Sequence, residues 1–537
     1  MENASDNAFL LKCACCGEPF FTQGESDFYK SNGLIIPTRC KKCRDSHKRY
    51  RSKSSWNSTL DIATQQLYDE IIDNWSVDAK KENRTYFYNI QEVNIISEGK
   101  KSFVIARKGS GKTAIAQYLC EMKQDDVFAE KLSFKNFPFN ILYSLENKRE
   151  YTVPNQYISI WKYLIYSYIC KKMILNENID SDVRDKLTKI YGDTSIKSLN
   201  RLIERWTSKA FGAEILGVGF NYEHEKQGEE LTWIDSIEIL QQVILDYCDT
   251  SKYFIVFDEL DEDYKDFQSE AEANNYMSML TSLFKAVQDI RSIFDSEGKH
   301  ILPIVFLRSD IYARLKDSDK NKWRESIIDL EWDSTQMQRM LAHRLCVAAN
   351  IPETDFNIIW YKLFDKRMVK MGNRQSREME IFEYIERSTE MRPRDFVQYV
   401  KECVTLAKER SEMPISPQTV KDADDIFSEY LKGETIDEIF AVIPEINEIL
   451  GLLSTIRKQS FQFTTFELEY NELVKRGVVP KRDVKNVLLA LFDSGVLGNQ
   501  PTMRGQAIFK FSKKSPRFNF NETMIVHRGL YKALQIY

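Results

Sequence analysis

The chain is 537 residues long, 43% hydrophobic and 12% aromatic, enough apolar mass for a sizeable core and length for about three or four domains. Its formal net charge of −5 excludes the global basic field of proteins that coat nucleic acid in bulk, so any basic patch must be local. No apolar run approaches membrane-spanning length and the amino end lacks a charged-then-apolar signal, so a cytoplasmic protein with no membrane contact is expected.

In chain order, the first motif is a cysteine set. Residues 13–16 read CACC and residues 40–43 read CKKC. Cys13, Cys16, Cys40 and Cys43 make two C-x-x-C pairs, and thiolates on two tight turns supply the tetrahedral ligands that Zn2+ requires. Cys15 is a spare thiol that can replace one of them with poorer geometry. A redox pair or a disulfide is the alternative. The remaining cysteines, at 120, 170, 248, 346 and 403, are scattered through helix-like or apolar stretches. The C-x-x-C-G pattern followed by FYKSNGLIIPTRCKKCR resembles a short bacterial zinc-ribbon domain, expected over residues 1–54. Residues 39–53 hold eight Lys or Arg against one Asp, with Tyr50 and Trp56 close by. Such a run can follow a phosphate backbone, stay solvated as a linker, or meet an acidic protein surface. A polar linker and a helix, LDIATQQLYDEIIDNW, fill residues 55–84.

The nucleoside-triphosphate motif follows. Phe103, Val104 and Ile105 read as a short buried strand running into ARKGSGKTA, residues 106–114, and then a helix. Gly109 and Gly111 let consecutive N–H groups turn inward around phosphate oxygens, with the helix N-terminus behind them. Ala106, Arg107, Lys108, Gly109, Ser110, Gly111, Lys112, Thr113 and Ala114 are therefore the candidate cradle. Lys112 is expected to reach the β- and γ-phosphates and Thr113 to bind Mg2+. Ala106 stands where the usual pattern opens with Gly; a chance glycine-rich turn is the alternative.

Phe254 to Phe257 have the run length of a strand buried on both faces. Asp258 at its carboxyl end is expected to hold Mg2+, and Glu259 to orient and deprotonate an attacking water. An acidic surface turn is the alternative, since Asp261, Glu262 and Asp263 follow. Between the two motifs, residues 140–235 read as a largely helical insertion ending in a strand-like AEILGVGFNYEH. A third strand, Leu302 to Leu307, precedes Arg308, Ser309 and Asp310, candidates for sensing the γ-phosphate or for capping a helix. A helix opens at Pro393, with Arg392 and Arg394 at its start. Either arginine can be laid on the γ-phosphate by a lid, or belong to a solvated basic helix start.

From about residue 440 three helices, PEINEILGLLSTIRK, FTTFELEYNELVKRG and PKRDVKNVLLALFDSGVLGN, precede RGQAIFKFS, expected as a wing strand. The pattern looks like a winged helix over 440–537, with Lys481, Arg482 and Lys485 at its third helix and Arg504, Lys510, Lys513, Lys514 and Arg517 around its wing. DNA contact and protein docking are both open to it.

The phosphate loop, FDELD, FLRSDI and RPRDF, in this order, resemble the AAA+/STAND superclass of P-loop ATPases. The likeness is greatest to bacterial members of the origin-recognition branch, several of which sit in phage-defence clusters. SFKNFPFNILYSLEN with YISIWKYLIYSYI resembles the same family, and the resemblance spans roughly residues 85–410. It implies an α/β fold: an αβα P-loop NTPase core, here 85–335, and a helical lid, here 336–435. It also implies ATP as the nucleotide and nucleotide-driven homo-oligomeric assembly or switching; no guanine-reading N-K-x-D motif follows FDELD. Five dispersed histidines, at 47, 224, 300, 343 and 527, and the lack of a nuclease, protease or deaminase constellation place any destructive activity in an effector partner. The reading is an ATP-hydrolysing switch in bacterial antiphage defence or genome maintenance. The competing one is a DNA-binding regulator or scaffold with nucleotide bound structurally and negligible turnover.

Overall fold

A computed structural model of the chain describes residues 64–134, 155, 157–192, 199–206, 208, 211, 214–215, 234–261, 270–501 and 506–536, less positions 80, 82–83, 123, 373–375, 441 and 513–515, together with a few residues between 9 and 29. At the amino end, β1 (Phe9–Lys12) pairs antiparallel with β2 (Pro19–Thr22). The four expected zinc ligands, Cys13, Cys16, Cys40 and Cys43, lie outside the described residues, as does the basic run 39–53.

The centre of the molecule is a five-stranded parallel sheet. Its strands are β3 (Phe103–Ala106), β4 (Val127–Ser133), β5 (Lys252–Asp258), β6 (His300–Arg308) and β7 (Ile327–Asp329), in the order β4-β5-β6-β3-β7. Burial on both faces explains the unbroken apolar runs of β3, β5 and β6. On one face Phe103, Ile105, Ile255, Phe257 and Val305 pack against the helices Ile158–Met173 and Glu270–Ser296. On the other, Val104, Ala106, Phe254, Val256 and Ile304 meet Ile115, Ala116 and Leu119 of the helix Lys112–Cys120, and Val93 and Ile96 of the helix Gln91–Ser97. These are the three layers of an αβα core. Pro303 is tolerated in β6 because pairing with β3 begins only at Val305, so at the proline the strand has β5 as its single neighbour.

The insertion is helical where described, in Ile158–Met173, Ser181–Tyr191, Leu199–Trp206 and Asp235–Tyr247. The strand-like segment expected at its end is instead helical at Glu214 and Ile215, and its remainder, from 216, lies outside the described residues.

The lid comprises the helices Ser334–Ala348, Phe356–Leu363 and Ile381–Glu386, the hairpin of β8 (Val369–Met371) and β9 (Arg377–Met379), and the long helices Pro393–Glu409 and Pro417–Ile439. The helix Thr64–Asn74 joins this unit through Leu67, Tyr68 and Ile71, and Trp75 follows them into the same apolar cluster.

The carboxyl-terminal region has the element order of a winged helix: Ile446–Ile456, then β10 (Ser460–Phe461), then the helices Phe463–Lys475 and Val484–Asp493, then β11 (Leu497–Gln500) and β12 (Thr523–Val526) in an antiparallel sheet of order β10-β12-β11. Among the described residues of 504–512, the expected wing strand does not form. The strand returning beside β11 is β12, and Ile508 makes one isolated bridge to Asn499. A turn at Phe509–Ser512 takes the chain out of the ladder and sets Phe509 and Phe511 edge-on against His527, at 5.2 and 5.3 Å.

Candidate nucleotide site

The phosphate loop leaves the carboxyl end of β3, and the carboxylate pair leaves the carboxyl end of β5, so both open at one edge of the sheet. Gly109 and Gly111 have φ of 81° and 97°, a left-handed backbone that favours glycine. At Gly109 a Cβ would also lie 3.3 Å from Arg392 Cδ, so the glycine lets the lid come down on the loop. Ala106, standing in for the customary glycine, is the last residue of β3 and pairs with Arg308; extended backbone needs no glycine there.

Lys112 Nζ donates to Ala106 O at 3.3 Å and to Arg107 O at 3.0 Å. Burial pushes its pKa down, opposed by the carboxylates of Asp261, Asp258 and Asp310. Thr113 Oγ1 donates to Asp258 Oδ1 at 3.5 Å. Asp258 is 1% exposed, and among the described residues its Oδ2 has no hydrogen-bond partner, although Lys131 Nζ stands 2.8 Å away. The ammonium approaches off the hydrogen-bond axis, giving charge compensation without a directed bond. Glu259 has a φ of 61°, a non-glycine residue in left-handed backbone at the mouth of the site. Its Oε2 accepts a hydrogen bond from Ser133 Oγ at the end of β4.

Lys112, Thr113, Asp258 and Glu259 share a cavity of about 420 Å3. Its lining includes Lys108 to Ile115, Asp258, Glu259 and Asp261, together with Phe87, Tyr88, Trp332, Met340 and Arg344. Trp332 Nε1 donates to Ser110 O at 3.0 Å, tying the loop to the start of the lid. Arg344 lies over the rings of Trp75 and Tyr86, at 4.8 and 5.4 Å, which anchors the segment before the core to a lid helix.

The two lid arginines are placed differently. Arg394 lines the cavity, beside Pro393 and Val397, and donates to Glu434 at 3.0 Å; Lys108 of the loop pairs with the same Glu434 at 3.3 Å. Arg392 is 3% exposed and turned into a carboxylate cluster, with Asp395 at 2.9 Å, Glu390 at 3.5 Å and Glu438 at 3.7 Å. Glu390 also pairs with Arg107 of the loop, and these cations hold its carboxyl below the usual range against the pull of burial. The strand-end candidates are likewise committed to one another. Arg308 donates to both oxygens of Asp310, at 3.0 and 2.8 Å, and lies 3.6 Å from Asp261, while Ser309 opens the short helix Ser309–Arg314. Among the described residues the cavity lining includes none of these three.

The donor set fits a magnesium nucleotide. Thr113 and Asp258 converge, and a buried carboxylate oxygen without a directed bond is free to take a cation whose other ligands come from phosphate and water. Sequence reasoning missed Lys131 and Ser133 on β4, and Glu390 and Glu434 on the lid. A short strand with mixed polarity such as VFAEKLS carries no period that marks it, and the lid carboxylates meet the loop only through tertiary structure.

In the carboxyl-terminal region, Arg482 is paired with Glu445, Lys510 with Asp493 at 2.9 Å, and Lys485 lies 5.7 Å from the centre of the Phe520 ring; Lys481 is exposed. Arg504, Lys513 and Lys514 lie outside the described residues. No helix is long and apolar enough to cross a membrane among the described residues.

Two families match parts of the chain. The one described as "FunZ-associated C-terminal helical domain" matches residues 335–434, the lid. The one described as "Probable treble clef domain" matches residues 9–52, where a zinc ribbon was expected. No curated protein matches the chain. Among solved structures, Cdc6p from Pyrobaculum aerophilum is 13% identical with a TM-score of 0.28, over 91% of this chain and 96% of that one. The Aeropyrum pernix ORC1 protein in complex with DNA is 12% identical with a TM-score of 0.34, over 83% and 90%. The Drosophila ORC bound to DNA is 9% identical with a TM-score of 0.27, over 96% and 100%. With scores this low, the fold stands on the sheet order and the phosphate loop themselves.

Proposed function

We propose that the chain is an ATP-binding and ATP-hydrolysing switch. The observation that carries this is the single cavity bounded by Lys112 and Thr113, by Asp258 and Glu259, and by Arg394 of the lid. Loop N–H groups and the Lys112 ammonium take the phosphates, and Thr113 and Asp258 hold the cation. Bound there, Mg2+ offsets charge on the phosphate oxygens. Glu259 takes the proton of an attacking water once it leaves Ser133. Arg394 exchanges Glu434 for phosphate, which shifts the lid.

What the switch controls is homo-oligomeric assembly or the grip on a nucleic acid or effector partner, through the amino-terminal zinc module and the winged helix. Antiphage defence or genome maintenance is the setting such a switch suits. The hydrogen bond from Ser133 to Glu259 favours a second reading, a DNA-binding scaffold with slow turnover until a ligand frees the base.

A turnover assay with and without duplex DNA, on the parent chain and Glu259→Gln, tests both. The variant should bind ATP normally and hydrolyse it about 100-fold more slowly. Parental turnover in the variant would remove Glu259 as the base. Negligible turnover of the parent under both conditions would leave the scaffold.

A further inference from the structure

Resting on the nucleotide reading above, the geometry points to Lys131 as a resident counter-ion that occupies the cation's oxygen on Asp258 and yields it to the metal; we propose that it sets how strongly nucleotide binding depends on metal. Residues 129, 131 and 133 of β4 share the face turned toward the helix Lys112–Cys120, and Ala129 packs in the apolar cluster of that face. The alternate residue Leu132 packs in the opposite cluster. Strand register puts Lys131 beside Val256 and Ser133 beside Asp258, so the lysine side chain runs along the strand to the carboxylate.

A carboxylate 1% exposed needs a compensating charge when ionised, and Lys131 Nζ supplies it at 2.8 Å. The ammonium does so without satisfying Oδ2 by a hydrogen bond. The contact is therefore strong in charge and poor in direction, which lets a better ligand replace it. A dication bound at Oδ2 would repel an ammonium 2.8 Å from the same oxygen, so the two compete for it. The lysine side chain is 21% exposed, so its head has solvent to withdraw into.

The sign of the effect follows. Without metal, Lys131 balances Asp258 and adds positive charge to a site that already carries Lys112, so nucleotide alone is tolerated. With metal, the lysine must be displaced, which weakens the metal's advantage. Removing the charge should deepen the contrast between the two conditions. A purely structural lysine would lower stability and leave that contrast alone.

The test is calorimetry of ADP binding to the full chain, in MgCl2 and in EDTA, for the parent, Lys131→Met and Lys131→Arg. The ratio of affinities with and without metal should rise about tenfold or more in Lys131→Met, the order expected for one charged contact, and stay near the parental value in Lys131→Arg. An unchanged ratio in a folded Lys131→Met chain overturns the proposal, as does a fall, which would make Lys131 a partner of the metal-bound phosphates. If the parent binds no ADP in either condition, the nucleotide reading fails and takes the Lys131 proposal with it; if the parent binds and only the ratio is unmoved, the nucleotide reading stands alone.

Discussion

His527 gives the winged helix a calculable acid sensitivity. Its ring is 2% exposed, its Nδ1 accepts from Gly529 N–H at 3.2 Å, and Phe509 and Phe511 close over it. Burial pushes its pKa from 6.5 to about 4; Glu390 opposes that shift, and Arg392 and Arg107 add to it. The folded chain therefore refuses a proton that the unfolded chain accepts between those values. Stability from this group is intact above about pH 6.5 and falls as pH drops toward 4. At about pH 5 the linkage integral comes to about 2 kcal/mol. His527→Gln cannot titrate but keeps an acceptor for the Gly529 amide, so its own cost should be nearly independent of pH. Hydrogen exchange of peptides covering residues 496–501 and 523–534, at about pH 7.5 and about pH 5, measures the local opening free energy. The parent should lose about 2 kcal/mol more than the variant across that interval. Equal losses in both would mean that folding does not lower the His527 pKa.

Two further outcomes concern the outlying modules. The chain should carry one zinc held by Cys13, Cys16, Cys40 and Cys43, and metal analysis of a Cys40→Ser/Cys43→Ser variant should show it gone with ADP affinity kept; parental zinc content would refute the ligand set. Neutralising Lys481 and Lys485 should lower affinity for labelled duplex DNA and flatten its salt slope by up to about two units, while neutralising Arg482, already paired with Glu445, should matter less. A slope unmoved by Lys481 and Lys485 would assign that surface to protein docking.

The sequence was most legible where function imposes local pattern. The strand, glycine loop and Lys-Thr of residues 103–113 share one continuous stretch, and the apolar run before Asp258 marks its strand without help from elsewhere. Pro393 opens its helix as expected, at the first position, where a missing N–H costs nothing. The failures have physical causes. RGQAIFKFS alternates like a strand, yet the ladder position belongs to Thr523–Val526 and the phenylalanines serve His527 instead. Arg392 and Arg394 look equivalent in RPRDF, and only tertiary packing separates one buried among Asp395, Glu390 and Glu438 from one facing the cavity.

That separation bears on how the site can act as a switch. Glu390 accepts from Arg107 in the phosphate loop, pairs with Arg392 in the lid, and packs so near the winged-helix turn that a Cβ on Gly495 would lie 2.9 Å from its Oε1. Burying this carboxylate between two guanidiniums is expensive unless all three stay together, so losing one partner costs about 3–5 kcal/mol. Arg394 and Lys108 share a weaker, more exposed joint on Glu434. The chain thus has one contact that keeps loop, lid and winged helix together and, beside it, one for which a bound phosphate would compete. Under the proposed switch, exchange at Glu434 would leave the Glu390 contact in place, and the winged helix, packed at that same contact, would follow the lid.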